Sequence, residues 1–183
     1  YSPLTNAMYF PLQNTCALAT SLAVNPSLDL LYAIMMTNQI APGTDKVGTI
    51  HAISVETGAT LWKYEQRAGT TSLVATGGGL LFGGDAAGRF RAFDQQTGKV
   101  LWEVNLGSQV TGYPVTYAAG GRQFVAVSTG SSLATGGANA LTPDVRPGAG
   151  NNLFVFAPGE CAGRARGTSG RRPGWGGCGG RSA

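Results

Sequence analysis

The stretch Ala92-Phe93-Asp94-Gln95-Gln96-Thr97-Gly98-Lys99-Val100-Leu101-Trp102 decides the fold, because the chain has already said the same thing forty residues earlier. The earlier copy reads Ala52-Ile53-Ser54-Val55-Glu56-Thr57-Gly58-Ala59-Thr60-Leu61-Trp62. A repeat of about forty residues made of short strands and tight turns has the period of one β-propeller blade. Within it each residue type has a mechanical task. The Ala points into a crowded layer between strands, Asp94 and Thr97 hydrogen-bond turn backbone, and Gly98 supplies a positive φ. The Trp is long enough to lie flat on the neighbouring blade. Ser54 stands where the second copy has Asp, keeping a capping hydroxyl and losing the charge.

Working outward, Leu80 to Asp94 reads as two strands joined by a polar turn at Asp85 to Gly88, a β-hairpin. The turn Thr97-Gly98-Lys99 then leads into a third strand, Val100 to Val104, and a fourth is drawn from Pro114 to Tyr117. Upstream, Gly48 to Ser54 is a strand that Thr57-Gly58 turns back along Leu61 to Tyr64. Ala7 to Pro11 and Leu30 to Ile34 read as strands of a blade before these, and Gln123 to Ser128 and Asn152 to Ala157 as strands after them. Helical periodicity is nearly absent. The expected fold is all-β, a partial β-propeller over residues 1–158.

Composition agrees with that class. The 183 residues are 43% hydrophobic and 12% charged, enough apolar material for a core. The 29 glycines follow the turns, not a collagen period. The formal charge of +4 comes from the end of the chain, where Arg164, Arg166, Arg171, Arg172 and Arg181 cluster. Without them the chain is close to neutral, and no nucleic-acid partner is indicated. Residues 159–183 have no hydrophobic period and read as a disordered Gly/Arg-rich tail, of the composition that GC-rich coding sequence gives out of frame. Cys16, Cys161 and Cys178 have no metal-type spacing. No apolar run is long enough for a transmembrane segment. The opening Tyr1-Ser2-Pro3-Leu4, with neither initiator Met nor signal segment, reads as the middle of a longer protein.

The pattern Ala-x-Asp-x-x-Thr-Gly-x-x-x-Trp resembles the tryptophan-docking motif of the pyrroloquinoline quinone (PQQ) dependent alcohol and methanol dehydrogenases, which are eight-bladed propellers. More of the family's pattern surrounds it: Gly48-Thr49-Ile50-His51-Ala52, Ala75 to Asp94, Gly112-Tyr113-Pro114-Val115-Thr116-Tyr117 and Gln123 to Val127. The resemblance covers Tyr1 to about Pro158 and matches only the C-terminal part of such an enzyme, about three to four blades.

It implies a periplasmic oxidoreductase in which PQQ sits on the propeller axis beside a calcium or lanthanide ion. An alcohol or sugar substrate is oxidised and electrons pass to a cytochrome c or another acceptor. It also implies that the metal ligands and the catalytic Asp belong to earlier blades, so no catalytic or metal residue is assigned in this chain. Missing N-terminal blades of the same protein are the implied partners, and the isolated chain is expected to be inactive, with open sheet faces where blades should pack. The segment Tyr9-Phe10-Pro11-Leu12-Gln13-Asn14-Thr15-Cys16 resembles the one whose amide reaches a quinone oxygen, with either Gln13 or Asn14 in that role. An amide donates to a carbonyl without adding charge. Thr70 and Thr71 are the other implied cofactor-binding residues.

Two departures from the methanol dehydrogenase pattern stand out: hydroxyls and Leu replace Trp at Gly69-Thr70-Thr71-Ser72-Leu73 and at Gly130-Ser131-Ser132-Leu133-Ala134. The Gly- and Ser-rich stretch Gly130 to Gly150 reads as a substrate-side loop or a surface connection. His51, Asp85 and Asp94 read as structural, Asp45 and Lys46 sit in a connection that could face the cofactor, and Trp62, Trp102 and Phe156 read as core. A different class of function, a non-catalytic scaffold of the outer-membrane assembly lipoprotein type, shares the docking repeat.

Overall fold

The computed structural model describes residues 1–23, 32–131 and 139–157. Twelve strands are β1 (Ala7–Gln13), β2 (Thr15–Ala23), β3 (Tyr32–Ile40), β4 (Gly48–Ser54), β5 (Thr60–Gln66), β6 (Thr70–Ala75), β7 (Leu80–Asp85), β8 (Arg89–Asp94), β9 (Val100–Asn105), β10 (Val115–Ala119), β11 (Arg122–Ser128) and β12 (Leu153–Phe156). They form three antiparallel blades, β1-β4-β5, β6-β7-β8-β9 and β10-β11-β12, plus a β2-β3 hairpin. A single helical turn at Asn139 and Ala140 is the only helix among the described residues. The expected partial propeller is the observed one; the tail 159–183 lies outside the described residues.

Two strand assignments from the sequence need correction. Ala7 to Pro11 does not belong to an earlier blade: β1 pairs with β4, Tyr9 opposite Ala52, and is the neighbour of the first docking repeat. The β2-β3 hairpin interrupts the chain between them, so Tyr32 to Ile34 is part of that insertion and not a blade strand; Leu30 and Leu31 lie outside the described residues. Nor is Pro114 to Tyr117 the fourth strand of the second repeat. That position belongs to β6, paired to β7, while Val115 opens the next blade against Ala126.

The middle blade is buried on both faces. All six residues of β7 are buried. On one side Ile50, Leu81 and Phe93 pack with Tyr9, Trp62 and Tyr64 of the first blade. On the other, Phe82, Phe90, Val110, Val125 and Val127 pack with Trp102 and Phe156. Burying each of these phenylalanines contributes about 1.5–3 kcal/mol. A Cβ on Gly84 would lie 2.2 Å from Val110, so the blades approach as closely as they do only because β7 carries no side chain there.

The repeats dock as their residue types require. Ala52 and Ala92 are fully buried. Trp62 lies on the turn of the following repeat: a Cβ on Gly98 would fall 2.6 Å from its ring, and its indole N–H donates to Gln95 O at 2.9 Å. Gly98 has φ +70°, which disfavours any side chain. Trp102 reaches forward in the same way, edge-on to Phe156 at 5.2 Å. The outer faces of the end blades remain open: Met8, Leu12 and Leu61 are exposed on the first, and Val115, Tyr117, Leu153 and Val155 on the third.

Candidate functional site

Strand register gathers the cofactor-binding candidates at one end of the blades. Gln13 at the end of β1 is opposite Gly48, which is opposite Gln66 at the end of β5. Four residues later β6 begins, with Thr70 opposite Asp85 at the end of β7. Gln13, Asn14, Asp45, Lys46, Thr70 and Thr71 therefore share one edge, and β1 packs on β6. Ser128 at the end of β11 brings the Gly130 loop to the same edge, since Gly112 N–H donates to Ser128 O and Ser72 Oγ donates to Gly112 O. The docking turns at Ser54 and Asp94 lie at the opposite edge.

The two amides left open by the sequence have different surroundings. Asn14 is committed to the scaffold: its Nδ2 donates to Lys46 O at 3.0 Å and to Thr49 Oγ1 at 2.6 Å. Its backbone is also held, with N–H donating to Val47 O and C=O accepting from Ala41 N–H. These bonds close the loop that follows the β2-β3 insertion and return the chain to β4. Gln13 is exposed, and its side chain makes no hydrogen bond among the described residues. It is the amide free to meet a ligand.

Thr70 and Thr71 occupy a β-bulge, where the register of β6 against β7 shifts between Thr70 and Ser72. Bulges re-aim side chains and are common beside active sites. Thr71 Oγ1 donates to Gly84 O at 3.1 Å, leaving its lone pairs available as acceptors. The Thr70 side chain lies outside the described residues, as do Ser132, Leu133 and Ala134 of the loop. Asp45 is exposed beside Lys46, whose Nζ donates to Asp45 Oδ2 at 3.1 Å. That hydrogen bond holds the Asp45 carboxyl below its ordinary range. Half-buried His51 sits mid-strand on β4, between Phe10 and Lys63, away from this edge.

Asp85 and Asp94 are structural. Asp94 Oδ1 accepts from Gln96 N–H, Thr97 N–H and Thr97 Oγ1. Asp85 Oδ1 accepts from Ala87 and Arg89 N–H, and Oδ2 from Arg91 Nη1 at 2.7 Å, in an ion pair whose side chains are 2% and 6% exposed. Arg91 also donates to Gln66 Oε1 in the first blade and to Glu103 Oε2. Burial works to raise the Glu103 carboxyl, but Arg91 and Arg89 outweigh it and hold it low. Sequence reasoning missed this network; its signal was an Arg in a strand with Phe or Ala on either side, Phe90-Arg91-Ala92. No group of three His, Cys, Asp or Glu side chains that could hold a metal ion occurs among the described residues.

Residues 23–125 match the family model described as the β-propeller domain of glucose, ethanol and alcohol dehydrogenases that use PQQ. Quinoprotein alcohol dehydrogenase PedE of Pseudomonas putida is 37% identical over 87 residues, 47% of this chain and 14% of its own. The lanthanide-dependent methanol dehydrogenase of Methylacidiphilum fumariolicum is 31% identical over 135 residues, 71% of this chain and 22% of its own. Among solved structures, a europium-containing methanol dehydrogenase superposes with a TM-score of 0.73 at 27% identity, over 86% of this chain and 32% of that one. The chain thus spans between about a seventh and a third of the length of these relatives. With its family model covering more than half of its residues, the chain belongs to the PQQ-dependent alcohol dehydrogenase propeller family.

Proposed function

We propose that this chain forms three late blades of a periplasmic PQQ-dependent dehydrogenase that oxidises an alcohol or sugar and passes the electrons to cytochrome c or another acceptor. The observation that carries this reading is the exposed, uncommitted amide of Gln13 at the shared edge, beside the Thr70–Thr71 bulge. The quinone, when bound, supplies the two-electron acceptor. This chain's part is to hold it: the Gln13 amide donates to a quinone oxygen, and the hydroxyl and backbone groups of the bulge line the wall. A neutral donor suits an oxygen on which charge develops, because it stabilises that charge without titrating. Asn14 supports Gln13 from behind by fixing the end of β1 to Lys46 and Thr49.

The described residues fit this share of a quinone site and do not fit a calcium or lanthanide site, whose several oxygen ligands would include carboxylates. The metal ligands and the proton-accepting carboxylate therefore come, in this reading, from further blades packed on the open faces at Met8, Leu12 and Leu61 and at Val115, Leu153 and Val155. Exposed apolar faces of this kind mark sites of packing.

The test is co-assembly with the N-terminal blades of a relative such as the methanol dehydrogenase above, followed by an assay of alcohol-dependent dye reduction with PQQ and with calcium or a lanthanide. The proposal expects turnover only from the assembled, metal-loaded pair. Turnover by this chain alone, or none from a stably assembled pair that binds PQQ, overturns it.

A further inference from the structure

A cavity of about 330 Å³ lies at the same edge of the blades as the cofactor-binding candidates and is lined by none of them, where the end of β5, the start of β8 and the segment 144–146 meet. Four of its lining residues are arginines, Arg67, Arg89, Arg91 and Arg146, against two carboxylates, Asp85 and Asp144. We infer that this cavity is a binding site for a small oxyanion carrying carboxylate or phosphate groups.

The charges inside it are nearly, but not fully, balanced. Arg67 makes a two-point pair with Asp144, Nε to Oδ2 at 3.0 Å and Nη2 to Oδ1 at 2.6 Å, and its third nitrogen donates to Asp45 O. Arg91 gives its Nε to Glu103 and its Nη1 to both Asp85 and Gln66. Glu103 also takes one terminal nitrogen of Arg89. Arg146 has no carboxylate partner among the described residues, only a long Nε contact to Pro143 O at 3.4 Å. Its two terminal nitrogens, and the second one of Arg89, are left as donors around one surplus positive charge.

Guanidinium forks match carboxylate and phosphate oxygens geometrically, and a concave wall concentrates the field of clustered charges. The volume lies at the lower end of small-molecule sites, larger than a lone phosphate needs and suited to a di- or tricarboxylate. The site is also built on rigid parts. Asp85 and Arg91 are fixed by burial, and the two-point Arg67–Asp144 pair seats the segment that carries Arg146.

The test is calorimetric titration of the full chain with citrate and, separately, with inorganic phosphate, each at an ionic strength matched with sodium chloride. Arg89 and Arg146 Nε–H resonances are followed in parallel. The inference expects saturable binding of at least one of the two anions with movement of both side-chain signals; the anion that saturates first tells a carboxylate source from a phosphate one. Arg146→Gln weakens that binding about tenfold, the equivalent of one charge-assisted hydrogen bond. Lys99→Gln, the same charge change at the opposite edge, leaves it within twofold. Absence of saturation with either anion, or equal weakening by both substitutions, overturns the inference. Should Arg146→Gln fail to fold, the side-chain signals of the unaltered chain decide: anion binding that leaves both unmoved is equally fatal.

Discussion

The two copies of the docking repeat share their Ala, Thr, Gly, Leu and Trp positions and have quite different surroundings. In the second copy Asp94 accepts three hydrogen bonds within its turn and Gly98 lies under the ring of Trp62. In the first, Ser54 Oγ accepts one bond, from Thr57 N–H at 3.2 Å, and a Cβ on Gly58 would meet nothing within 4 Å. Both glycines have φ +70°. The motif therefore works as a relay: Trp62 reaches forward to the turn of the next repeat, and Trp102 reaches forward to Phe156 of the third blade. The first turn in this chain is a receptor with nothing docked on it.

That difference can be broken by substitution. Gly98→Ala combines left-handed backbone strain with a clash on Trp62 and is expected to cost about 3 kcal/mol, whereas Gly58→Ala carries only the strain, about 1 kcal/mol. Urea unfolding of the two variants measures the gap, and equal costs would remove the relay. Asp94→Ala is next, at about 2 kcal/mol for the loss of a carboxylate cap, against less than about 1 kcal/mol for Ser54→Ala. Trp62→Phe keeps most of the ring contact and loses the bond to Gln95 O, for about 1 kcal/mol by the same measurement.

A smaller effect sharpens the contrast at the other edge. The hydrogen bond and charge of Arg67 hold the Asp144 carboxyl below its ordinary range. A carboxylate depressed in the folded state stabilises it above the unfolded pKa of about 4, and that contribution is lost as pH falls through the folded value. The segment 139–150 is thus expected to loosen below about pH 4 in wild type and to be already loose at neutral pH in Asp144→Asn. Amide hydrogen exchange at Val145 and Gly148 reads this directly, while the docking turn at Asp94 serves as an internal reference.

How much of this was legible in the sequence follows from how far apart the interacting residues lie. The repeat, its turns and its docking Trp were readable because Asp94 to Trp102 is a local pattern repeated at fixed spacing. Strand pairing was less so. The β2-β3 insertion separates β1 from its partner β4, and the first strand of the middle blade, β6, is a short Thr70–Ala75 segment whose bulge breaks its alternation. At the candidate site the family resemblance pointed to Gln13 or Asn14 and could go no further, because the partners that commit Asn14 are Lys46 and Thr49, more than thirty residues on. The arginine cavity was invisible for the same reason, being assembled from segments near residues 67, 90 and 145.

The central claim, that this chain presents Gln13 to a quinone while Asn14 only holds the scaffold, is tested most directly by PQQ absorbance titration of the chain assembled with a relative's N-terminal blades. The account predicts that Gln13→Ala weakens PQQ about tenfold with unfolding unchanged, while Asn14→Ala lowers stability by about 1–3 kcal/mol. Unaltered PQQ affinity in Gln13→Ala, with direct loss of quinone contact in a fully folded Asn14→Ala, would contradict it.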